Sequence, residues 1–252
     1  MEKFYYDLHL HSCLSPCGDN DMTPNNIVNM ALLNGMDIIA LTDHNSCRNC
    51  RAAVAAGERA GLCVVPGMEL CTEEEIHLVC LFPTLEAAEA FDQAVAARRP
   101  PVPNRPQIFG DQLVLNEDDQ EVGREEFLLL AAASTGLGEA VELARSFGGA
   151  AFPAHIDRDS YSILSALGGF PPEITFTAAE LSSSGDGQAL KSAHPCLQQM
   201  ILLRDSDAHY LENMPERRQW IQLPEKSAAC LVNALNGQLP VFVGCDGEET
   251  VL

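Results

Sequence analysis

Two imidazoles two residues apart, in Asp7-Leu8-His9-Leu10-His11, are the first arrangement in the chain able to do chemistry. Alternate side chains of an extended strand share a face, so Asp7, His9 and His11 are expected on one side and Leu8 and Leu10 on the other. Such a pair can grip one metal ion, with Asp7 near enough to orient an imidazole from behind. Five further segments deliver a histidine or a carboxylate from an apolar run: Ile38 to Leu41 before Asp43-His44, Val64-Val65 before Glu69, Ile76-His77-Leu78-Val79, Ala150-Ala151-Phe152 before His155, and Ile201-Leu202-Leu203 before Asp205-Ser206-Asp207-Ala208-His209. Taken singly, each has a plain explanation. An acid after a strand is common, and a histidine inside an apolar run such as His77 is ordinarily a hydrogen-bonded core residue. Six segments at successive strand ends do not share one, because the carboxyl ends of parallel strands in an α/β barrel converge on one face. Of the seven histidines only His194, ending a helix-like stretch, stands apart.

Imidazole and carboxylate donors without an obligatory thiolate suit zinc, manganese or iron. This many donors exceed the needs of one ion, and a lone Glu69 between the histidine sets could bridge two. Paired divalent ions about 3.5–4 Å apart are a common device for attack at phosphorus.

The elements that must position these groups are legible as alternating strands and helices, the pattern of a βαβ fold. Strands are expected at 5–11, 37–42, 62–66, 76–82, 149–154, 176–181 and 200–204, with a last one at 241–244. Helices are expected at 24–34, 48–60, 85–98, 139–147, 161–167, 188–193 and 226–236, the first capped by Thr23 with Pro24 in its opening turn. Residues 99–124 break the rhythm between the fourth and fifth strands, and their apolar run followed by an acidic turn reads as a β-hairpin inserted near the mouth of the site. The whole chain, 1–252, is expected to be one domain carrying that insertion.

Composition restricts the partners. Fifteen Lys and Arg against 36 Asp and Glu give a net charge of −21, which argues for a small phosphorylated substrate and against long nucleic acid, since polyphosphate affinity comes largely from cationic neutralisation. Bound metal ions can still invert the local field for a small anion. No apolar run approaches the ~20 residues of a membrane span, and Met1 to Tyr6 lacks a secretory leader, so a cytoplasmic protein without membrane partners is expected. The ten cysteines then read as reduced thiols. Cys13 with Cys17 and Cys47 with Cys50 could meet at one rim as a structural zinc site or a redox pair, although unpaired thiols in two turns are the favoured reading of the spacing.

The segments DLHLHS at 7–12, LTDHN at 41–45, GMEL at 67–70, IHLVCLF at 76–82, PAH at 153–155 and SDAH at 206–209 resemble, in order and spacing, those of the PHP (polymerase and histidinol phosphatase) family. The resemblance covers nearly the whole chain. It implies a distorted (β/α)7 TIM-like barrel and a stand-alone metallophosphoesterase with a trinuclear site, hydrolysing a nucleotide, a nucleoside bisphosphate or a histidinol-phosphate-like ester by attack of a metal-activated hydroxide. Residue by residue, it implies that His9, His11 and Asp207 hold one metal, and that Glu69 bridges it to a second held by His77 and His155. His44, His209 and an acid from the loop after the first strand would hold the third. Asp19 and Asp21 both qualify, the distance to the helix start at Thr23 favouring Asp19. Glu69 and Asp207 would act at the reacting centre, with Arg158 neutralising phosphoryl oxygens and Arg48 as second choice. Two other readings stand beside this one: a C–N hydrolase of the amidohydrolase type, disfavoured because none of the three lysines ends a strand, and a metal-stabilised regulatory domain without catalysis.

Overall fold

The computed structural model describes residues 1–247. Its elements run β1 (Glu2–Leu10), α1 (Pro24–Leu33), β2 (Ile38–Leu41), α2 (Cys50–Ala60), β3 (Cys63–Cys71), β4 (His77–Leu81), α3 (Leu85–Ala96), α4 (Pro106–Phe109), β5 (Leu113–Leu115), β6 (Glu121–Arg124) and α5 (Leu137–Ser146). There follow β7 (Ala150–Pro153), α6 (Ile163–Leu167), β8 (Ala178–Leu181), α7 (Gly187–Ala193), β9 (Ile201–Arg204), β10 (Gln219–Leu223), α8 (Ala228–Leu235) and β11 (Phe242–Cys245). No described helix is long and apolar enough to cross a membrane.

Strands pair in the order β11-β10-β1-β2-β3-β4-β7, and β8 pairs with β9 in parallel. The Ile156 amide donates to the Glu180 carbonyl, joining β7 to β8, and the His11 amide donates to the Ala208 carbonyl at 3.1 Å, joining the segment after β9 to β1. Seven strands, β1-β2-β3-β4-β7-β8-β9, therefore close a distorted TIM-like barrel, with β10 and β11 as an antiparallel wing on the first half of β1. Carboxylates replace ladder bonds at the β9–β1 seam. Asp205 accepts the Leu8 amide at 2.6 Å, and Asp7 accepts the Ser206 amide and hydroxyl at 3.1 and 2.6 Å.

Apolar side chains divide between two layers. Tyr6, Leu8, Ile38, Ala40, Val65, Val79 and Phe152 pack in one cluster with Leu231, Val232 and Leu235 of α8. Ile39, Leu41, Val64, Met68, Leu78 and Cys80 face the other way, against α1, α2, α3 and α5. Alternation along each strand feeds the two layers. Helix α1 starts as its sequence requires, with Thr23 accepting the Asn26 amide and Pro24 in the first turn.

The strict alternation expected for β1 does not hold through the ligand segment. Asp7 pairs with Ile39 but Leu10 with Leu41, so β1 carries one extra residue against β2. Leu8 consequently packs in the first apolar cluster and Leu10 in the second. The bulge separates Asp7 from His9 and His11, and Asp7 holds Ser206 instead of an imidazole.

The insertion is a hairpin, β5 against β6, lying between the fourth and fifth barrel strands. It is tied to the loops after β1 and β2: the Leu113 amide donates to the Cys13 carbonyl, and the buried Asn49 side chain accepts from the Leu115 amide at 2.9 Å and donates to the Leu113 carbonyl at 3.1 Å. Leu14, Val114 and Leu129 form a small apolar cluster beneath it.

Candidate metal centre

Glu69 lies at the middle of five imidazoles and is 1% exposed. Its Oε1 is 2.7 Å from His77 Nδ1, 3.2 Å from His155 Nε2 and 3.3 Å from His9 Nε2. Its Oε2 is 2.9 Å from His44 Nδ1 and 3.3 Å from His11 Nε2. Asp207 Oδ1 closes the other side, 3.1 Å from His11 Nε2, 3.4 Å from His9 Nε2 and 3.7 Å from His209 Nδ1. Three sets of donor atoms converge closely enough for an ion: His9, His11, Glu69 and Asp207; His44, Glu69 and His77; and His11, His44 and His209. Seven of the nine expected ligands belong to these sets, and His155, outside them, joins the cluster through its 3.2 Å contact with Glu69. Asp19 stands outside the three sets. Its amide donates to the His209 carbonyl at 2.9 Å and its carboxylate accepts the Asp21 amide, so it borders the cluster, while Asp21 is exposed.

The strands explain the convergence. His9 and His11 leave β1 after its bulge, and His44 pairs with Glu69 as an isolated parallel bridge just beyond β2. His77 arrives differently. β4 runs antiparallel to β3 and β7, so its amino end lies at the rim where their neighbours end. Asn45, His155, Tyr161 and Asp207 have positive φ of 48°, 28°, 54° and 53°. Positive φ is uncommon outside glycine, most of all for a bulky residue such as Tyr161, and such conformations concentrate at functional sites.

Neighbouring groups aim the rings. His9 Nδ1 donates to Glu180 Oε2 at 2.7 Å, which turns Nε2 toward Glu69 and Asp207. Glu180, fully buried on β8, also accepts the His155 amide at 3.2 Å. His11 Nδ1 donates to Ser15 Oγ at 2.9 Å, and that hydroxyl donates to Asp43 at 2.7 Å. Partners of this kind fix the tautomer and basicity of a ligating histidine. Glu180 escaped the sequence reading, although an acid inside Ala178-Ala179-Glu180-Leu181 is itself a signal of a buried charge with a partner. Arg158 reaches Asp207 Oδ2 at 2.6 Å with 44% of its side chain exposed, whereas Arg48 pairs with Glu125 of the insertion at 3.2 Å.

Electrostatics match the donor set. Burial disfavours a charged His9, but Glu180, Glu69 and Asp207 outweigh it and hold its pKa well above the ordinary histidine value. Burial likewise opposes a charged His11, yet the adjacent carboxylates of Asp207 and Glu69 raise its pKa to about 9. Burial first, then the charge of His11, depresses His209 to about 3; burial lowers His44 to about 4. Glu69 is held well below the usual carboxylate range because the surrounding imidazoles, His77 foremost, overcome its desolvation. His9 Nε2, His11 Nε2, His44 Nδ1, Glu69 Oε2 and Asp207 Oδ1 are buried without a hydrogen-bond partner. Buried polar atoms are almost always satisfied. Donors of these types, facing one another unpaired, fit divalent cations.

The cysteines do not extend the site. All ten are free thiols, and none belongs to the three donor sets. Cys47 and Cys50 both donate to the Gly67 carbonyl, at 3.1 and 3.4 Å, and burial pushes the Cys47 thiol up, away from a thiolate ligand. Cys13 is raised by burial to about 12.

The sequence matches the family model of the PHP domain over residues 7–163. The chain belongs to the PHP domain family. This PHP chain is 34% identical over 79 residues to a 5′-3′ exoribonuclease of Haemophilus influenzae, a match covering 30% of this chain and 28% of that protein. Its fold superposes on the lesion-specific endonuclease PfuEndoQ of Pyrococcus furiosus with a TM-score of 0.68 at 17% identity, over 96% of this chain and 58% of the endonuclease. It also superposes on a protein described as a metal-dependent phosphoesterase from Bifidobacterium adolescentis, with a TM-score of 0.56 at 16% identity, over 81% and 87% of the two chains. The PHP domain carries a His/Glu/Asp cluster able to bind metal ions, and the chain spans only part of the length of the two nucleases it matches. The expectation that nucleic acid is excluded is overturned, because two of these similar proteins are nucleases by name. Net charge was the wrong criterion. It describes the surface as a whole, whereas a scissile phosphate meets the field of the cluster.

Proposed function

We propose that this PHP chain is a metal-dependent phosphodiesterase that hydrolyses a phosphodiester bond of a nucleic acid. The observation that carries the proposal is Glu69, buried among five imidazoles, of which His9, His11 and His44 turn nitrogens without a hydrogen-bond partner toward it, with the unpaired Asp207 Oδ1 beside them. The nuclease names of the similar proteins supply the substrate class. In this reading His9, His11 and Asp207 would hold one ion, Glu69 with His77 and His155 a second, and His44 and His209 a third with Asp19 alongside. Bound divalent ions supply a water of lowered pKa and neutralise oxygens at phosphorus. Glu180 and Ser15 keep His9 and His11 in the tautomers that present Nε2 to the cluster. Arg158 contacts a phosphoryl oxygen while anchored on Asp207, adding a fixed positive charge where negative charge grows. The water oxygen bonds to phosphorus, the bond to the departing sugar oxygen breaks, and that oxygen takes the proton.

Lys3 pairs with Asp246, Lys226 with the Gly61 carbonyl, and Lys191 lies on α7, which supports a bridging role for Glu69 over a carboxylated lysine. The test is cleavage of labelled RNA and DNA oligonucleotides by manganese-loaded protein, beside His9→Ala and Glu69→Gln, with metal content measured for each. Wild type should cut at least one strand type, and both variants should lose activity together with bound metal. Intact oligonucleotides with metal-replete wild type, or a Glu69→Gln protein as active as wild type, would sink the proposal.

A further inference from the structure

The loop that follows β7 carries more than its ligand His155. Arg158 and Tyr161 lie three residues apart on it, and both reach the cluster. The Arg158 amide donates to the His155 carbonyl at 2.9 Å, Ser162 Oγ donates to the Arg158 carbonyl at 2.7 Å, and Ser162 then caps α6. Tyr161 is fixed at both ends of its own geometry. Its carbonyl accepts the His77 amide at 2.9 Å, and its ring stacks on the His77 imidazole with centroids 4.6 Å apart and planes 27° from parallel. The residue nevertheless remains 46% exposed, and its backbone sits in the left-handed region at φ 54°. A bulky side chain in that region is unusual, and an outlier held by surrounding bonds is a reason to look for a role.

A tyrosine stacked on one side and open on the other is a platform for a second flat ring. His77 itself touches Glu69 at 2.7 Å, so the platform stands one imidazole away from the cluster. A phosphate at the cluster and a base on Tyr161 are parts that one nucleotide can supply together. We propose that Tyr161 is the stacking platform for the nucleobase next to the scissile phosphate, with Arg158 of the same loop gripping that phosphate. The inference rests on the phosphodiesterase reading above and deepens it by naming how the substrate is recognised. Because every base has a π-face, such a platform selects nucleotides over other phosphodiesters without reading sequence.

The test compares a dinucleotide with its analogue bearing an abasic sugar on one side or the other of the phosphate, using manganese-loaded wild type, Tyr161→Ala and Tyr161→Phe. Stacking of one base corresponds to roughly 5- to 150-fold in kcat/KM. Wild type and Tyr161→Phe should prefer the intact dinucleotide over one abasic analogue by a factor in that range, and Tyr161→Ala should lose the preference. Binding gives a readout free of turnover: a dinucleotide carrying 2-aminopurine should be quenched on wild type and Tyr161→Phe, and not on Tyr161→Ala. A preference that survives in Tyr161→Ala, or an equal loss on intact and abasic molecules, overturns the platform and leaves the phosphodiesterase standing. Quenching that depends on Tyr161, in a protein that cleaves nothing, supports the platform and sinks the activity.

Discussion

Glu180 is the residue whose removal separates positioning from ligation. It belongs to no donor set, yet it receives the His9 Nδ1 proton at 2.7 Å from full burial. Glu180→Gln keeps the size and can still accept one hydrogen bond, but it removes the charge that polarises the imidazole. Loss of such a partner weakens metal affinity about 10- to 100-fold. A chelator competition should show that drop with the circular dichroism spectrum unchanged; unaltered affinity would show that His9 needs no orienting carboxylate. Protons give a second measurement at this scale. His11 has a pKa of about 9, above the ordinary histidine value, so it is protonated in the metal-free chain at pH 7. His9 is raised in the same direction. A metal takes each imidazole neutral, so metal binding at pH 7 should release protons and tighten as pH rises toward 9. Titration in two buffers of different ionisation enthalpy counts those protons, and a count of zero would contradict the raised values.

At the scale of elements, one buried side chain bonds the inserted hairpin to the barrel at two points of β5. Asn49, fully buried, bonds both Leu113 and Leu115 of β5 and also donates to Ser12 Oγ, while Asp119 in the hairpin turn receives Thr23 and Asn25 of α1. Asn49→Ala leaves the Leu115 amide and Leu113 carbonyl without these partners, and each orphaned buried group costs about 1–3 kcal/mol. Hydrogen exchange at Leu113 and Leu115 should speed up in the variant well before global unfolding; unchanged protection would mean that the hairpin is held elsewhere. The insertion was legible in the sequence because prolines and an acidic turn interrupt the alternation. So was most of the barrel, since apolar runs of strand length and amphipathic stretches carry opposite periods. What did not show was direction. β4 reads like any apolar strand, and nothing local says that it runs against its neighbours, although that reversal places His77 on the rim. The bulge in β1 was equally hidden, because Asp7 to His11 alternates perfectly as a string and only pairing with β2 exposes the extra residue. The candidate histidines still converge because strand ends, more than faces, decide what meets. Asp7 does not, and its role passes to Glu180 from a strand 171 residues distant from His9 in sequence.

For the whole molecule, a charge of −21 and the phosphodiesterase activity proposed above impose opposite demands on a polyanion. Described cations near the cluster are few and already paired: Arg158 with Asp207, Arg48 and Arg99 with Glu125. Most proteins that bind nucleic acid lose affinity as salt rises, because their lysines and arginines release counterions from the strand. Here the strand beyond the scissile phosphate meets an acidic surface, and salt at physiological strength screens repulsion over about 8 Å. The sign of the salt effect should therefore invert with length. KM for a dinucleotide should change little between low and physiological ionic strength. KM for a 20-nucleotide strand should fall over the same range, as repulsion of its distal phosphates is screened. A steep rise in KM for the long strand would instead reveal a cationic track that its described side chains do not provide. The inverted sign would mean that the cluster, and not the surface, attracts the strand, leaving Arg158 and the metal-binding donors to hold one phosphate against the field of everything around them.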